Sequence, residues 1–429
     1  MERTVEVDPS AKLRILYVAF AMPYPPQSGT PLALYTNLAF LAARHEVKLA
    51  CRAATTPPSA DIQFLRERVG CFDIITFNRE REGDWPRTAY LSDRRFRACL
   101  TSPEVQRQLV PLSRWAQIVQ VENLEFAFNL LEGFASAGVE PKPIVVLRLH
   151  DLMSVVVAQR AAYPRPSASL LRRVSPGRVL RAVTARRVAQ YQRLEGAVYR
   201  EVDAVVVLSR EDEAVVRAHH PAVRVLHIPM GLDLGAMRAS RPKPHRKETE
   251  PLTLTFVGSF SWPPNTDAAM VLLRDILPHL SEMDLRVRIV GPNAPAELRR
   301  YHDGRRVHVL GYVADLEAIW QETDIAVVPV RFGTGVKMKT LDALAHGVPV
   351  VTFPAGRRGV GGISGVHFLE ASTIEEFARD VRRLAGDPAL ASELSENGRR
   401  LVAREHTAAV AGARLEALYY ELLAARARS

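Results

Sequence analysis

The strongest chemical signal in the chain lies in residues 324–347, DIAVVPVRFGTGVKMKTLDALAHG. A buried strand is predicted to run into the small residues 332–335, and a helix is predicted to follow and end at Gly347. Small residues let backbone N–H groups approach a ligand, and a helix N-terminus carries partial positive charge. Lys337 and Lys339 add full charges at that helix N-terminus. The segment therefore predicts a cradle for a diphosphate.

Asp342 follows the two lysines on the same predicted helix. Its carboxylate can accept hydrogen bonds from the hydroxyls of a ribose. The alternative is structural, because Lys339 and Asp342 are three positions apart and can form an ion pair on the helix surface.

A second turn, GSFSWPPNTD at residues 258–267, also follows a predicted strand. The helix after it is expected to begin near Asp267, with Asn265 or Thr266 as its cap. Trp262 and the paired prolines either form the wall of a pocket or pack within the turn.

Two further candidates lie in the first half of the chain. Gly29 precedes a predicted helix, and Thr30 and Pro31 are typical of a helix start, so bare N–H groups there can approach an anion. The alternative is a strand-to-helix turn that needs a glycine. His150 ends a predicted strand, where it can donate to or accept from a substrate near neutral pH, or simply cap the strand through a hydrogen bond.

The elements that position these residues alternate between short apolar runs and helical stretches. Strands are predicted at residues 13–20, 46–51, 73–77, 117–121, 143–150, 203–209, 224–229, 252–258, 285–291, 306–310, 324–330, 348–353 and 366–369. Near-continuous apolar runs such as AVVVL suit strands that are buried on both faces. Alternation of strand and helix predicts an α/β fold with doubly wound parallel sheets.

A polar, proline-containing stretch at residues 235–251 divides the predicted strands into two groups. We therefore expect an N-terminal Rossmann-like domain at residues 1–234, a linker at 235–251 and a second Rossmann-like domain at 252–406. We expect residues 407–429 to form a final helix.

The net charge of +10 is concentrated in residues 159–200. This segment contains ten arginines and one acidic residue, so its net charge is +9. This segment predicts attraction to an anionic membrane surface or to a lipid-diphosphate-linked acceptor, or else a solvated arginine-rich surface. It has few aromatic residues and no recognisable module for nucleic acid, so a nucleic-acid partner is not expected.

Other functional classes have less support in the composition. The N-terminus has no apolar signal segment, and no run approaches the length of a membrane span. These features predict a cytoplasmic protein, either free or at the inner face of the membrane. The three cysteines show no spacing typical of metal ligands, so no metal site is expected.

At this point the sequence resembles the family-4 glycosyltransferases. The resemblance rests on segments in the family's order: PYPPQSGTPLALYTNLAFLAARHEV, LRLHD, DAVVVLSRED, HIPMGLDL, LTFVGSFSWPPNTDAAM, RVHVLGYVADLEAIWQETDIAVVPV and GTGVKMKTLDALAHGVPVV. The turn VGSFSWPPNTDA is similar to that of bacterial exopolysaccharide enzymes. The resemblance implies the GT-B fold, two Rossmann-like domains facing each other across a cleft, with the last helix returning to the first domain.

The resemblance also implies a function, which is the transfer of a sugar from a nucleotide-diphosphate sugar to a saccharide or lipid-linked acceptor. Such enzymes retain the anomeric configuration, need no protein nucleophile and use no metal or other cofactor. His150 then contacts the transferred sugar and Lys337 acts with it in catalysis. The implied donor-binding residues are Gly29, Ser259, Asn265, Gly333, Thr334, Gly335, Lys339 and Asp342.

The sequence departs from the family pattern in two places. Thr334 and Asp342 stand where the family often has two glutamates, and Ser259 and Pro264 stand where many members have an arginine and a lysine. Lys337 and Lys339 must then neutralise the diphosphate. The same departures support the competing hypothesis of a catalytically silent module that binds a sugar nucleotide or organises a partner enzyme.

Overall fold

The computed structural model describes residues 11–26, 29–52, 57–70, 73–77, 92–162, 177–233 and 250–428. The chain divides into two compact units. Of the described residues, the first contains those up to 162 and those at 177–232 and 408–428, and the second contains residues 233 and 250–407. Most of the expected linker, and residues 163–176 of the arginine-rich segment, lie outside the described residues.

The first unit contains a seven-stranded sheet in which all neighbouring strands are parallel. Its strands are β1 (Arg14–Ala19), β2 (Glu46–Arg52), β3 (Asp73–Phe77), β4 (Ile118–Val121), β5 (Ile144–Leu149), β6 (Ala204–Val207) and β7 (Val225–His227). They lie in the order β3-β2-β1-β4-β5-β6-β7. The order therefore reverses direction between β1 and β4, which is where open α/β sheets bind ligands.

Helices cover both faces of this sheet. They are α1 (Gly29–Ala42), α2 (Ser59–Phe64), α3 (Asp93–Leu100), α4 (Pro103–Ser113), α5 (Leu124–Ala137), α6 (Met153–Ala162), α7 (Gly177–Glu201) and α8 (Arg210–His219). Alternate residues of β1 enter opposite cores: Leu16 and Val18 face one, and Ile15 and Tyr17 face the other. This period of two is the pattern of a strand buried on both faces.

The second unit contains a six-stranded parallel sheet. Its strands are β8 (Leu252–Val257), β9 (Leu285–Val290), β10 (Val307–Gly311), β11 (Ile325–Val328), β12 (Val350–Thr352) and β13 (Leu369–Glu370). They lie in the order β10-β9-β8-β11-β12-β13, so the order reverses between β8 and β11.

Seven described α-helices follow β8 in the chain. They are α9 (Pro263–Val271), α10 (Ala296–Arg299), α11 (Leu316–Gln321), α12 (Met338–Ala345), α13 (Ile374–Gly386), α14 (Pro388–Glu405) and α15 (Ala408–Arg428). The last of these, α15, belongs to the first unit, where it packs against α1.

The two doubly wound parallel sheets predicted from the sequence are confirmed, and a described strand appears at each predicted position. The last strand is shorter than predicted. Residues 363–368 are occupied by turn hydrogen bonds, including that from the Gly365 amide to the Phe368 carbonyl at 2.7 Å, so pairing begins at Leu369.

Two predicted helix starts are wrong by a few residues. Helix α1 begins at Gly29, so Thr30 lies inside the first turn rather than at the N-cap. Helix α9 begins at Pro263 rather than near Asp267, and neither Asn265 nor Thr266 caps it. Proline fixes a helical φ and lacks an N–H that the first turn would leave unpaired, so the paired prolines start the helix.

Candidate functional site

In the first unit, polar side chains meet at the carboxyl ends of β4 and β5. Glu122 directly follows β4, and its amide donates to the Val18 carbonyl of β1 at 2.9 Å. His150 directly follows β5, and its Nε2 lies 2.8 Å from Glu122 Oε2. Phe20, just beyond β1, packs edge-on against the His150 ring with 5.1 Å between ring centroids. The reversal of strand order thus brings these three residues to one place.

Glu122 is a buried anion in this cluster. Its side chain is fully buried, and Arg148 Nη1 lies 3.1 Å from Oε2. Burial opposes ionisation, but Arg148 and the hydrogen bond from His150 outweigh burial and lower the pKa of Glu122 to about 2. The carboxylate therefore stays charged across the physiological range of pH.

A chain of polar contacts leads from Glu122 to the C-terminal helix. Gln120 Nε2 donates to Glu122 Oε1, and the Tyr419 hydroxyl of α15 donates to Gln120 Oε1. Burial, followed by the charge of Glu122, raises the pKa of Tyr17 and of Tyr419 well above the ordinary value. Both phenols thus remain neutral donors.

Gly29 is the first residue of α1, which follows β1. It therefore lies in the connection that leaves the same carboxyl edge as Glu122 and His150. Ser154, at the start of α6, is held by the buried Glu195, whose Oε1 accepts from the Ser154 amide at 2.9 Å.

In the second unit, the two predicted ligand-facing turns come together at the reversal between β8 and β11. Gly333 (φ 120°) packs so closely on Pro264 that an added Cβ would lie 3.2 Å from Pro264 Cγ. Arg331 forms two hydrogen bonds with Asp267, at 2.5 and 3.0 Å. The turn after β8 and the loop after β11 thus form one surface.

Lys337 organises the loop after β11. Its Nζ donates to the carbonyl oxygens of Gly333, Thr334 and Gly335 at 3.0, 2.8 and 2.9 Å. These contacts use all three N–H groups of the buried ammonium. Lys337 thereby turns three consecutive carbonyls toward itself and fixes the backbone path of the loop.

Lys339 has a different environment. Its Nζ donates to Asn265 Oδ1 at 2.8 Å and lies 5.6 Å from the ring centroid of Phe256. Asn265 is held in turn, because its Nδ2 donates to the Ser259 carbonyl at 2.8 Å. Burial, reinforced by the charge of Lys337, lowers the pKa of Lys339 to about 7.

Asp342 does not pair with Lys339 in the described chain, so the surface ion pair considered above is wrong. Asp342 Oδ2 accepts from the indole Nε1 of Trp320 at 2.7 Å, and Oδ1 lies 3.5 Å from His346 Nδ1. Burial raises the pKa of Asp342 above its ordinary value. The carboxyl group is thus oriented by Trp320.

A family model matches most of the second unit, and solved structures match the fold of the whole chain. Residues 251–387 match the family model of glycosyl transferases group 1. No curated protein matches the chain. Among solved structures, sucrose-phosphate synthase from Thermosynechococcus elongatus is similar at a TM-score of 0.65 and 18% identity, covering 96% of this chain and 100% of that one.

Two further structures have the same architecture. A glycosyltransferase from Rickettsia africae matches at a TM-score of 0.67 and 10% identity, over 96% of this chain and 99% of that one. HepE from Anabaena, in complex with UDP and glucose, matches at 0.61 and 12% identity, over 95% and 99%. The chain has the GT-B fold.

Within this GT-B chain, several site residues were not foreseen from the sequence. Glu122 holds His150 and is itself paired with Arg148, and Arg331 and Asp267 join the two turns of the second unit. The signal for Glu122 was present, since it is a charged residue directly after an apolar strand at a predicted sheet edge. Arg148 gave no such signal, because a charge within the apolar run IVVLRL has no partner visible in the sequence.

The described residues lack the features of membrane-spanning helices and of metal sites. No described helix is both long and apolar enough to cross a membrane. Among the same residues, no three histidine, cysteine or acidic side chains come together as a metal site would require.

Proposed function

We propose that this GT-B chain transfers a sugar from a nucleotide-diphosphate sugar to a hydroxyl group of a saccharide or lipid-linked acceptor. The observation that carries the proposal is the loop after β11, where Lys337 fixes three carbonyls and Lys339 retains donor capacity. In the described chain Lys339 makes its hydrogen bond to the neutral Asn265, so two of its N–H groups remain for a ligand. A partly buried cation beside a loop and a helix N-terminus suits a diphosphate.

The chemistry needs the departing diphosphate to be stabilised. As the bond from the anomeric carbon to the phosphate oxygen breaks, negative charge grows on the diphosphate. Lys339 and the N-terminus of α12 oppose that charge, while Lys337 keeps the loop in shape. Lys337 is thus proposed to act by positioning rather than by touching the donor.

The new bond forms between the acceptor oxygen and the anomeric carbon, and the acceptor loses its proton. We propose transfer with retention of configuration, with attack from the face that the diphosphate leaves, so that the proton passes to a diphosphate oxygen. A pair of carboxylates like that of the glycosidases is then not required. His150 is proposed to bind a hydroxyl of the sugar, and Gly29 to lie near the donor phosphates.

The structurally similar HepE is in complex with UDP and glucose, which supports testing uridine nucleotides first. A role in polysaccharide or glycolipid synthesis is proposed from the resemblance to exopolysaccharide enzymes. The arginine-rich segment 159–200 is proposed to contact an anionic membrane surface or lipid-linked acceptor on the cytoplasmic side. Its charge supports that proposal.

The test is thermal stabilisation of the purified protein by a panel of nucleoside diphosphates and nucleotide sugars, followed by assay of sugar transfer or donor hydrolysis. A ligand that binds the native state raises the melting temperature. We expect one base to stabilise the protein, and Lys339→Met to reduce the shift. Arg305→Met, which removes an exposed cation elsewhere in the same unit, is the control and should leave the shift intact.

The second candidate function is a silent module that binds a sugar nucleotide without turnover. It is favoured by Thr334, Ser259 and Pro264, which stand where the family often has a charged residue. Stabilisation by a nucleotide sugar with neither transfer nor hydrolysis, in the presence of acceptor extracts, would support the silent module. No stabilisation by any nucleotide would overturn both candidate functions.

A further inference from the structure

His150 is held by groups that the resemblance does not explain. Glu122 Oε2 lies 2.8 Å from Nε2 of the ring, and Phe20 packs against the ring edge-on. The other ring nitrogen, Nδ1, makes no hydrogen bond to any described residue. The His150 side chain is 11% exposed, whereas that of Glu122 is fully buried. Glu122 therefore cannot touch a substrate, but it can set which nitrogen of His150 carries the proton.

The charge of Glu122 is itself fixed from three elements. Arg148 of β5 pairs with it, Gln120 of β4 donates to its other oxygen, and Tyr419 of α15 donates to Gln120. The phenol of Tyr17 on β1 also faces this group and stays neutral. A carboxylate held in this way accepts from Nε2–H and leaves Nδ1 as an acceptor.

We propose that Glu122 is a positioning residue that keeps the Nε2–H tautomer of His150, so that Nδ1 accepts a hydrogen bond from a hydroxyl of the bound substrate. Gln120 and Tyr419 hold Glu122 in turn. The C-terminal helix α15 is therefore a part of the His150 site. The role in substrate binding rests on the proposed function, whereas the tautomer does not.

The tautomer is measured by long-range ¹H–¹⁵N NMR of the protein with ¹⁵N-labelled histidine, with His150→Gln used to assign the signals. We expect the proton of neutral His150 on Nε2. Glu122→Gln alone removes the carboxylate charge but leaves the buried Arg148 without its ion-pair partner. The double variant Glu122→Gln, Arg148→Met is therefore the one to compare with the wild type. It should show a mixture of the two tautomers. A proton on Nδ1 in the wild type, or the same tautomer population in both proteins, would overturn the proposal.

The part played by α15 is measured with two neighbouring tyrosines. Tyr419→Phe removes the phenol that donates to Gln120, whereas Tyr420→Phe removes a phenol that donates to the Ala11 carbonyl at 2.9 Å. With a donor that is turned over, we expect Tyr419→Phe to lower kcat/KM by about tenfold and Tyr420→Phe to leave it unchanged, as for other supporting hydrogen bonds. Equal effects of the two variants would remove α15 from the site.

The two proposals fail separately. If His150 has the Nε2–H tautomer and no nucleotide sugar is turned over, the proposed transfer is contradicted and positioning by Glu122 stands. If transfer is observed and the tautomer is Nδ1–H, the transfer stands and the positioning role is contradicted.

Discussion

Lys337 and Lys339 illustrate how neighbouring residues of one type acquire different roles. The ammonium of Lys337 is saturated by three carbonyls, whereas that of Lys339 has one hydrogen bond to Asn265 in the described chain. The sequence shows two cations near a helix start, and the prediction of a phosphate site rests on them. It could not show which cation faces the loop, because that depends on the backbone path through Gly333 and Gly335.

The pKa of Lys339 gives a prediction at this scale. Because burial lowers it to about 7 from 10.5, the free protein holds this side chain largely neutral above neutral pH. A diphosphate favours the ammonium, so nucleotide binding should take up a proton, and affinity should fall as pH rises above about 7. Calorimetry at about pH 8.5 in two buffers of different ionisation enthalpy measures the uptake, at a pH where the nucleotide phosphates are fully ionised.

Lys339→Met should bind more weakly and show no such uptake. Proton uptake of the same size in the variant would mean that another group takes up the proton.

The lowered pKa of Lys339 also affects the stability of the folded chain. Between about pH 7 and 10.5 the unfolded chain holds more protons at this lysine than the folded chain does, so its contribution to the free energy of unfolding rises with pH across that window.

At the scale of elements, parallel strands could be predicted well because they are buried on both faces. Runs such as those of β5 and β6 remain apolar at nearly every position, which few other structures require. Helix starts were predicted less well, because several residues near Pro31 and Pro263 are compatible with a cap. The close contact between α1 and α15 could not be predicted in detail, since its residues are far apart in the sequence.

The contact between α1 and α15 gives the prediction at this scale. A Cβ on Gly412 would lie 2.3 Å from Phe40 Cγ, so Gly412→Ala should force the ring aside and lower the free energy of unfolding by about 1–3 kcal/mol. Gly386, at the end of α13, has nothing within 4 Å of an added Cβ. Gly386→Ala should raise stability by up to about 1 kcal/mol, since alanine favours a helix. Chemical denaturation measures both changes.

If the clash with Phe40 destabilises Gly412→Ala, then replacing the Phe40 ring with a smaller side chain should recover part of the lost free energy of unfolding. Phe40→Leu in the Gly412→Ala background is that test, and the two changes should be non-additive because the residues touch. Strict additivity would mean that Phe40 is not the cause.

At the scale of the whole molecule, the first unit is formed by the N-terminal part of the chain together with the last helix, and most of the second unit lies between them in the sequence. The helical pattern at the C-terminal end of the chain predicts helices but does not say which of them belongs to which unit, and only the family resemblance implies that the last helix returns to the first domain. That assignment depends on the apolar face that α15 fits. Its residues buried in the core beside β1 and α1 are Ala411, Leu415, Leu418, Tyr419 and Leu422.

Removal of residues 408–428 should therefore unfold the first unit and spare the second. The three leucines of α15 buried in this core are worth about 1.5–3 kcal/mol each, and the ring of Tyr419 adds to them, so their sum is comparable to the whole stability of an ordinary domain. The second unit loses none of its own elements. Hydrogen exchange should become fast in β1–β7 and stay slow in β8–β13.

In one outcome, the truncated chain shows fast hydrogen exchange in the first sheet and still binds the selected nucleotide. That result would establish that the donor loop depends on the second unit alone. Loss of protection in both sheets would instead mean that the two units fold as one cooperative body. Either pattern also bears on His150, because Tyr419 is lost with α15 and the polar contacts to Glu122 through Gln120 are broken with it.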